Sequence, residues 1–186
     1  MQLHNFSAGP SILPKEVMYQ AGEAVKELDN SKLSLIEISH RSKAFIEIMD
    51  EACELALRLT GLENQGYKAL FVQGGASLQF LMIAYNLLQS KAGYLNTGTW
   101  SDKAIKEAKL FGDVVEVSSS KDKNYNYIPK DYSIPSGLDY LHITTNNTIF
   151  GTQYKSIPKT ISPLVADMSS DIFSRDFDYS KFDLFY

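Results

Sequence analysis

The sequence has little cysteine, no excess of positive charge and no long apolar run. Its one cysteine, Cys53, has no intrachain partner for a disulfide, which favours a reducing compartment, so we expect a cytoplasmic protein. The 18 basic and 22 acidic residues give a net charge of −4, which offers no basic field to nucleic acid or an anionic membrane surface. No apolar segment approaches the ~18 residues of a membrane span. We therefore expect neither nucleic acid nor a membrane as a partner.

Metal-ligating residues are scarce as well. The three histidines, His4, His40 and His142, show no metal-ligand spacing with Cys53, so we expect no metal site. Cys53 lies on the apolar stripe of a predicted helix, and we expect it to be a buried core residue. Residues 1–10 are polar, and we expect no secretory signal there.

What the sequence does contain is a regular alternation of helix and strand. Helical spacing of apolar residues covers about 14–28, 45–59, 78–88 and 101–111, with Pro14 predicted to open the first helix, Gly61 to end the second and Ser101 to cap the last. Extended apolar segments are predicted at 36–39, 68–72, 94–96, 114–117, 138–144, 164–167 and 183–186, and a polar surface connection at 118–137. This pattern predicts an α/β fold in which a mostly parallel sheet is flanked by helices.

Polar or glycine-rich residues follow the ends of four predicted strands. They are Gly74–Ser77, Asn96–Trp100, Thr145–Thr148 and Asp167. Ligands of parallel sheets sit at the carboxyl ends of the strands, because these ends meet at one edge. We therefore expect the four segments to converge on a single rim.

The segment Gly74-Gly75-Ala76-Ser77 suits an anion. Paired glycines permit positive φ and close backbone approach, and the helix that follows presents unpaired N–H groups. The segment equally suits a plain strand-to-helix turn. It is neither a Walker loop nor a GxGxxG fingerprint, so a nucleotide is not the natural ligand.

Single residues at the rim leave alternatives open. Asp167 can hold a cationic ring nitrogen, a metal or the start of a helix. Trp100 can stack on an aromatic cofactor or pack in the core. Asn147 and Thr148 are also ordinary turn residues. His40 and Arg41 can bind a carboxylate or phosphate, or simply begin a solvated helix.

The order of these motifs resembles one known family. The segments NFSAGP (5–10), ISHRSK (38–43), GGASLQF (74–80), Trp100, NTIFG (147–151) and ADMSS (166–170) are similar to those of phosphoserine aminotransferases and follow the same order. Such enzymes are class V, fold type I proteins that depend on pyridoxal 5′-phosphate (PLP). The resemblance covers essentially the whole chain and corresponds to the N-terminal half of the family.

The resemblance implies a PLP site. Ala76 and Ser77 would hold the cofactor phosphate, Trp100 would stack on the pyridine ring, Thr148 would lie near the ring hydroxyl, and Asp167 would pair with the protonated ring nitrogen. Many family members carry arginine where this chain has Ser77, so the cation that meets the substrate phosphate differs here.

The resemblance also implies the substrate contacts and the domain layout. Arg41, with His40 beside it, would bind an acidic group of the substrate, and Ser7 and Gly9 would border it. Residues 1–15 would form a substrate-bordering segment, and residues 16–186 a partial PLP-binding large domain, incomplete at its C-terminus. The rest of that domain and a small C-terminal domain would be absent.

The activity implied is transamination between O-phospho-L-serine and 2-oxoglutarate by a cytoplasmic homodimer, in serine and pyridoxine biosynthesis. The Schiff-base lysine is expected just after Tyr186; Lys181 precedes the last predicted strand and does not match it. We therefore expect the 186-residue chain alone to be inactive. The alternatives are an inert N-terminal fragment and another class V enzyme of the alanine–glyoxylate type. The Ser39-His40-Arg41 segment favours phosphoserine over the latter.

Overall fold

A computed structural model describes residues 4–7 and 11–186 of the chain. Contacts divide the chain into two compact units, Met1–Leu70 and Phe71–Tyr186. Within the described residues, none of the helices has the length and apolar character needed to cross a membrane.

The first unit contains two helices with the predicted starts and stops. Helix α1 (Lys15–Lys26) begins directly after Pro14, whose fixed φ suits a helix start. Helix α2 (Lys43–Thr60) follows Ser42, and the Ser42 hydroxyl accepts a hydrogen bond from the N–H of Phe45. Gly61 ends α2 in the left-handed conformation, with φ at +69°.

Two expectations for the first unit are wrong. Residues 36–39 form turns instead of an extended segment, because the N–H groups of Glu37 and Ile38 both donate to the carbonyl of Ser34. Cys53 is half-buried instead of buried in a core, since α2 has no fully buried residue within the described structure.

The predicted buried strand at 68–72 is also wrong. This segment is irregular, and its apolar side chains are exposed, with Leu70 at 78% and Phe71 at 61% of full exposure. A strand requires a hydrogen-bonded neighbour. None of the described strands pairs with these residues. Their apolar character predicts burial, but in the described structure their side chains are exposed.

The second unit is built on a parallel sheet. In chain order its elements are α3 (Gly75–Leu87), β1 (Lys91–Asn96), α4 (Thr99–Ala108), β2 (Asp113–Ser119), β3 (Tyr140–Thr144), β4 (Asn146–Asn147), β5 (Thr152–Gln153), β6 (Leu164–Asp167) and β7 (Leu184–Phe185). The sheet has the order β2-β1-β3-β6-β7, and every neighbouring pair is parallel. Strands β4 and β5 form a separate antiparallel hairpin. The parallel sheet with flanking helices confirms the predicted fold class.

The core of this unit lies between α3, α4 and the sheet. Its buried members come from both helices and from β1, β3 and β6: Phe80, Ile83, Ala84, Leu88, Ala92, Tyr94, Ala104, Ile105, Ala108, Tyr140 and Val165. Paired residues of parallel strands share a face. The register therefore places Tyr94, His142, Val165 and Leu184 in one row across four strands. On the same face of the sheet, Thr144 and Asp167 form the next pair towards the carboxyl edge.

Candidate functional site

The carboxyl ends of β1, β3 and β6 meet at one rim, as the sequence predicts, but the fourth predicted segment, Gly74–Ser77, follows no strand because residues 68–72 are irregular. Thr145, just after β3, donates from its N–H to the carbonyl of Asp167 at 3.0 Å, and its hydroxyl oxygen lies 3.1 Å from the same carbonyl. Asn147 and Thr97 are joined through their side chains at 3.2–3.3 Å. The segments that follow β1, β3 and β6 are thus linked directly to one another.

Asp167 is a buried carboxylate at the end of β6. Its side chain accepts hydrogen bonds from the N–H and the hydroxyl of Ser169, at 3.1 and 2.6 Å, and both reach Oδ1. Burial raises the pKa of Asp167, while the bonds from Ser169 oppose that rise and the nearby Asp171 adds to it. A buried carboxylate in this condition is stabilised by a cationic partner, because such a partner offsets the cost of desolvation.

Trp100 stands in the first turn of α4 and is half-buried. Its indole Nε1 donates to Thr148 Oγ1 at 3.1 Å, and Lys103 Nζ lies 4.6 Å from the ring centroid. Thr148 lies in the turn between β4 and β5. The hairpin and α4 therefore hold the indole between them.

Ser101, predicted as the cap of α4, lies inside the helix instead. Gly98 precedes the first helical residue, Thr99. The buried Ser101 hydroxyl accepts hydrogen bonds from the N–H groups of Thr97 and Gly98, each at 2.9 Å. The Ser101 side chain thus stabilises the turn between β1 and α4, directly before Trp100.

The start of α3 has the features of an anion site. Gly74 and Gly75 have φ values of +100° and +57°, in the region that favours glycine. A Cβ on Gly74 would stand 2.2 Å from Leu78 Cδ2, so a side chain does not fit there. The first helical bond runs from the N–H of Leu78 to the carbonyl of Gly74. The earlier N–H groups, including those of Ala76 and Ser77, have no partner within the helix and suit an anion.

The structure brings the predicted cofactor residues into one unit. Ala76 and Trp100 pack against the same core cluster, Thr148 bonds to Trp100, and Asp167 is two residues from the cluster member Val165. Within the described residues, no group of three His, Cys, Asp or Glu is placed to hold a metal ion.

The predicted substrate residues belong to the first unit. His40 and Arg41 are exposed, and the Arg41 N–H donates to Ser39 Oγ at 3.2 Å. Ser7 is exposed, and its N–H donates to Asn5 Oδ1 at 2.9 Å. Gly9 lies outside the described residues.

Sequence reasoning missed Asp171. This buried carboxylate accepts hydrogen bonds from Thr145 Oγ1, from Arg175 Nη2 at 3.2 Å and from Gln153 Nε2 at 3.4 Å. It therefore joins the end of β3, the hairpin and the loop after β6. The spacing of Asp171 and Arg175, four residues apart, is the one signal in the sequence that indicates such a pair.

Comparison with known proteins identifies the family. The family model described as aminotransferase class-V matches residues 3–186. The chain belongs to the class-V aminotransferases. It is 62% identical over 188 residues to phosphoserine aminotransferase of Flavobacterium johnsoniae. This alignment covers 100% of the chain and 53% of the relative. The family resemblance found in the sequence is confirmed.

Solved structures of class-V aminotransferases have the same fold. Phosphoserine aminotransferase from Bacillus circulans subsp. alkalophilus matches with a TM-score of 0.93 and 44% identity, over 97% of this chain and 51% of that one. The PLP-bound phosphoserine aminotransferase from Trichomonas vaginalis matches with a TM-score of 0.88 and 34% identity, over 97% and 52%. The chain thus spans about half the length of these relatives and corresponds to their N-terminal half.

Proposed function

We propose that this chain supplies the PLP-binding half of a phosphoserine aminotransferase. In a protein completed to the length of its relatives, the reaction is transamination between O-phospho-L-serine and 2-oxoglutarate, giving 3-phosphohydroxypyruvate and L-glutamate. The observation that carries the proposal is the buried Asp167 carboxylate at the rim of the sheet, where a protonated ring nitrogen would be its partner. The 62% identity to a phosphoserine aminotransferase supports the choice of substrate.

Asp167 is the residue that fits the cofactor ring. PLP supplies a protonated pyridine ring that withdraws electrons from a bound amino acid. Asp167 would hold the proton on the ring nitrogen, and the attraction is strong because the carboxylate is shielded from water. Ser169 donates two hydrogen bonds to Oδ1 and thereby fixes the carboxylate plane.

The start of α3 fits the cofactor phosphate. The N–H groups of Ala76 and Ser77, with the Ser77 hydroxyl, would bind it, and the helix dipole favours the negative charge. The positive φ of Gly74 and Gly75 turns the backbone into α3, which permits the close approach of a phosphate to these N–H groups.

Trp100 and Thr148 would orient the ring. The indole presents a flat apolar face for stacking. Thr148 Oγ1 accepts a hydrogen bond from Trp100 Nε1, so its own proton remains to be donated to the ring hydroxyl.

The substrate contacts, the domains and the setting are part of the same proposal. Arg41 and His40 would bind the acidic group of phosphoserine or glutamate, with Ser7 and Gly9 bordering the substrate. Residues 1–15 would form the substrate-bordering segment and residues 16–186 part of the PLP-binding large domain. The completed protein would be a cytoplasmic homodimer in serine and pyridoxine biosynthesis.

The test replaces Asp167 in the completed protein. Asp167→Ala and the isosteric Asp167→Asn should each abolish turnover of phosphoserine in a coupled assay. Asp113→Asn, at the opposite end of the sheet in β2, removes the same charge and should leave turnover unchanged. Near-normal activity of the Asp167 variants would refute the ring-nitrogen role.

Two further measurements address the alternatives. The isolated chain, with a mass of 20.9 kDa, should not turn over phosphoserine when PLP and 2-oxoglutarate are added, and turnover would refute its predicted inactivity. With the completed protein, turnover of alanine in preference to phosphoserine would replace the proposed substrate by one of the alanine–glyoxylate type.

A further inference from the structure

A partly buried tyrosine–histidine bridge crosses the sheet beside Asp167. Tyr186 follows β7, and its hydroxyl lies 3.0 Å from Nε2 of His142 on β3. Strand β6 lies between β3 and β7. The Tyr186 side chain therefore passes over β6, the strand that ends in Asp167, and packs against the core on the same side.

The backbone of Tyr186 also brackets Asp167. Its N–H donates to the carbonyl of Ala166 at 3.1 Å, and its carbonyl accepts from the N–H of Met168 at 2.6 Å. The residues before and after Asp167 are thus both bound by Tyr186. A shift of Tyr186 would be transmitted to the Asp167 backbone from both sides.

His142 is suited to hold the Tyr186 hydroxyl in one place. Its ring is buried and stacks on Tyr94, with centroids 4.9 Å apart and planes 26° apart. Burial lowers the pKa of His142 to about 3, so the ring is neutral and carries one proton at neutral pH. The rigid, neutral ring makes one directed hydrogen bond to Tyr186.

The direction of that bond follows from the other ring nitrogen. Among the described residues, His142 Nδ1 has no hydrogen-bond partner. A buried N–H without a partner is rarer than a buried acceptor without one, so the proton belongs on Nε2. Nε2 then donates to the Tyr186 oxygen, and the Tyr186 hydroxyl proton is left for another acceptor.

Asp167 is the negative charge that acts on this hydroxyl. Burial raises the pKa of Tyr186, and the charge of Asp167 raises it further. The described side-chain bonds of Asp167 all reach Oδ1, which leaves Oδ2 for the proposed contact with the ring nitrogen.

We infer that Tyr186 and His142 form a positioning pair that orients the Asp167 carboxylate towards the cofactor ring. The inference rests on the proposed function, because its effect is measured as affinity for PLP. Neither residue touches the substrate in this role. Both act through Asp167.

The core offers a matched control. Tyr140, two residues before His142 on β3, is buried, and its hydroxyl pairs with that of Tyr94 at 2.7 Å. Tyr140→Phe removes the same group from the same core, but away from the Asp167 end. A purely structural role for Tyr186 would give Tyr186→Phe and Tyr140→Phe equal consequences.

The first experiment measures PLP dissociation constants of the completed protein by equilibrium dialysis, with the thermal unfolding of the cofactor-free form in parallel. Tyr186→Phe should weaken PLP binding by about tenfold, the ratio expected for one lost buried hydrogen bond. Tyr140→Phe should lower the melting temperature similarly and leave PLP binding within about twofold of the parent. Equal dissociation constants for the two variants would overturn the inference.

The second experiment tests the histidine by rescue. His142→Leu should weaken PLP binding as Tyr186→Phe does. His142→Gln, whose amide nitrogen stands near the position of Nε2, should restore most of the affinity. If glutamine binds PLP no better than leucine, the hydrogen bond is not the cause and the inference fails. Failure of the unaltered completed protein to bind PLP would instead refute the proposed function itself.

Discussion

The indole nitrogen of Trp100 donates a hydrogen bond of 3.1 Å to the hydroxyl of Thr148. The two residues are 48 positions apart in the chain, one in the first turn of α4 and the other in the β4–β5 hairpin. The bond fixes one edge of the ring and the rotamer of the threonine together. The proposed stacking surface and the proposed ring-hydroxyl donor are therefore set by a single contact.

Thr148→Val tests this contact. Valine keeps the shape of threonine but accepts no hydrogen bond, so the indole loses its anchor and the cofactor loses a donor. We expect the PLP dissociation constant of the completed protein to rise by about threefold to tenfold, the range of one to two ordinary hydrogen bonds. Thr148→Ser retains the hydroxyl and should bind PLP nearly as the parent does. Equal constants for the valine and serine variants would contradict the assignment.

A pair of glycine substitutions tests the packing of the rim. A Cβ on Gly98 would stand 2.7 Å from Asn147 Oδ1, and its backbone is extended, so the clash alone determines the outcome. We expect Gly98→Ala to lower the free energy of unfolding by about 1–3 kcal/mol, the usual cost of overpacking. The measurement is chemical denaturation of the cofactor-free protein.

Gly22→Ala is the control for that substitution. Gly22 lies within α1 and has nothing within 4 Å of an added Cβ. Alanine there should stabilise the protein by about 0.5–1 kcal/mol, because glycine is the poorer helix former. If the Gly98→Ala variant is as stable as Gly22→Ala, the Asn147 side chain can move away from the added Cβ at little cost, which would contradict the prediction.

His142 predicts a pH dependence of stability. Its pKa is lowered from 6.5 to about 3 by burial, so below pH 6.5 the unfolded chain binds a proton that the folded chain does not. Stability is then lost as the pH falls, by roughly 1 kcal/mol from this residue between pH 7.5 and 5.5.

His142→Gln isolates this contribution. Glutamine does not titrate, whereas the carboxylates titrate in both proteins and cancel in the difference. The difference in unfolding free energy between the two proteins should therefore change by roughly 1 kcal/mol over that range, in favour of the variant at the lower pH. A constant difference would show that His142 titrates normally in the folded state.

The elements predicted correctly are those with local signals. The Pro14 start of α1 and the Gly61 stop of α2 depend on neighbouring residues alone, and the apolar run before Asp167 identifies β6. The convergence of strand ends follows from the geometry of any parallel sheet. For these reasons the rim could be predicted before its contacts were known.

The errors concern features that depend on distant partners. Residues 68–72 have the composition of a buried strand, but pairing is decided by a neighbour that composition does not reveal. The bond from Trp100 to Thr148 and the bonds from Thr145 and Gln153 to Asp171 join segments that are far apart in sequence. Neither spacing nor propensity contains that information.

The rim is assembled from β1, β3 and β6, whose parallel pairing joins residues tens of positions apart. Contacts of this kind form late and slowly, because the intervening chain must first be ordered. The neighbours of Asp167 at the rim are therefore in place only in the assembled sheet. A ligand that binds the rim stabilises the native state and not its precursors. The stabilisation increases with the ratio of the ligand concentration to the dissociation constant. Cofactor supply would then govern how much of the protein survives synthesis, as well as how fast it works.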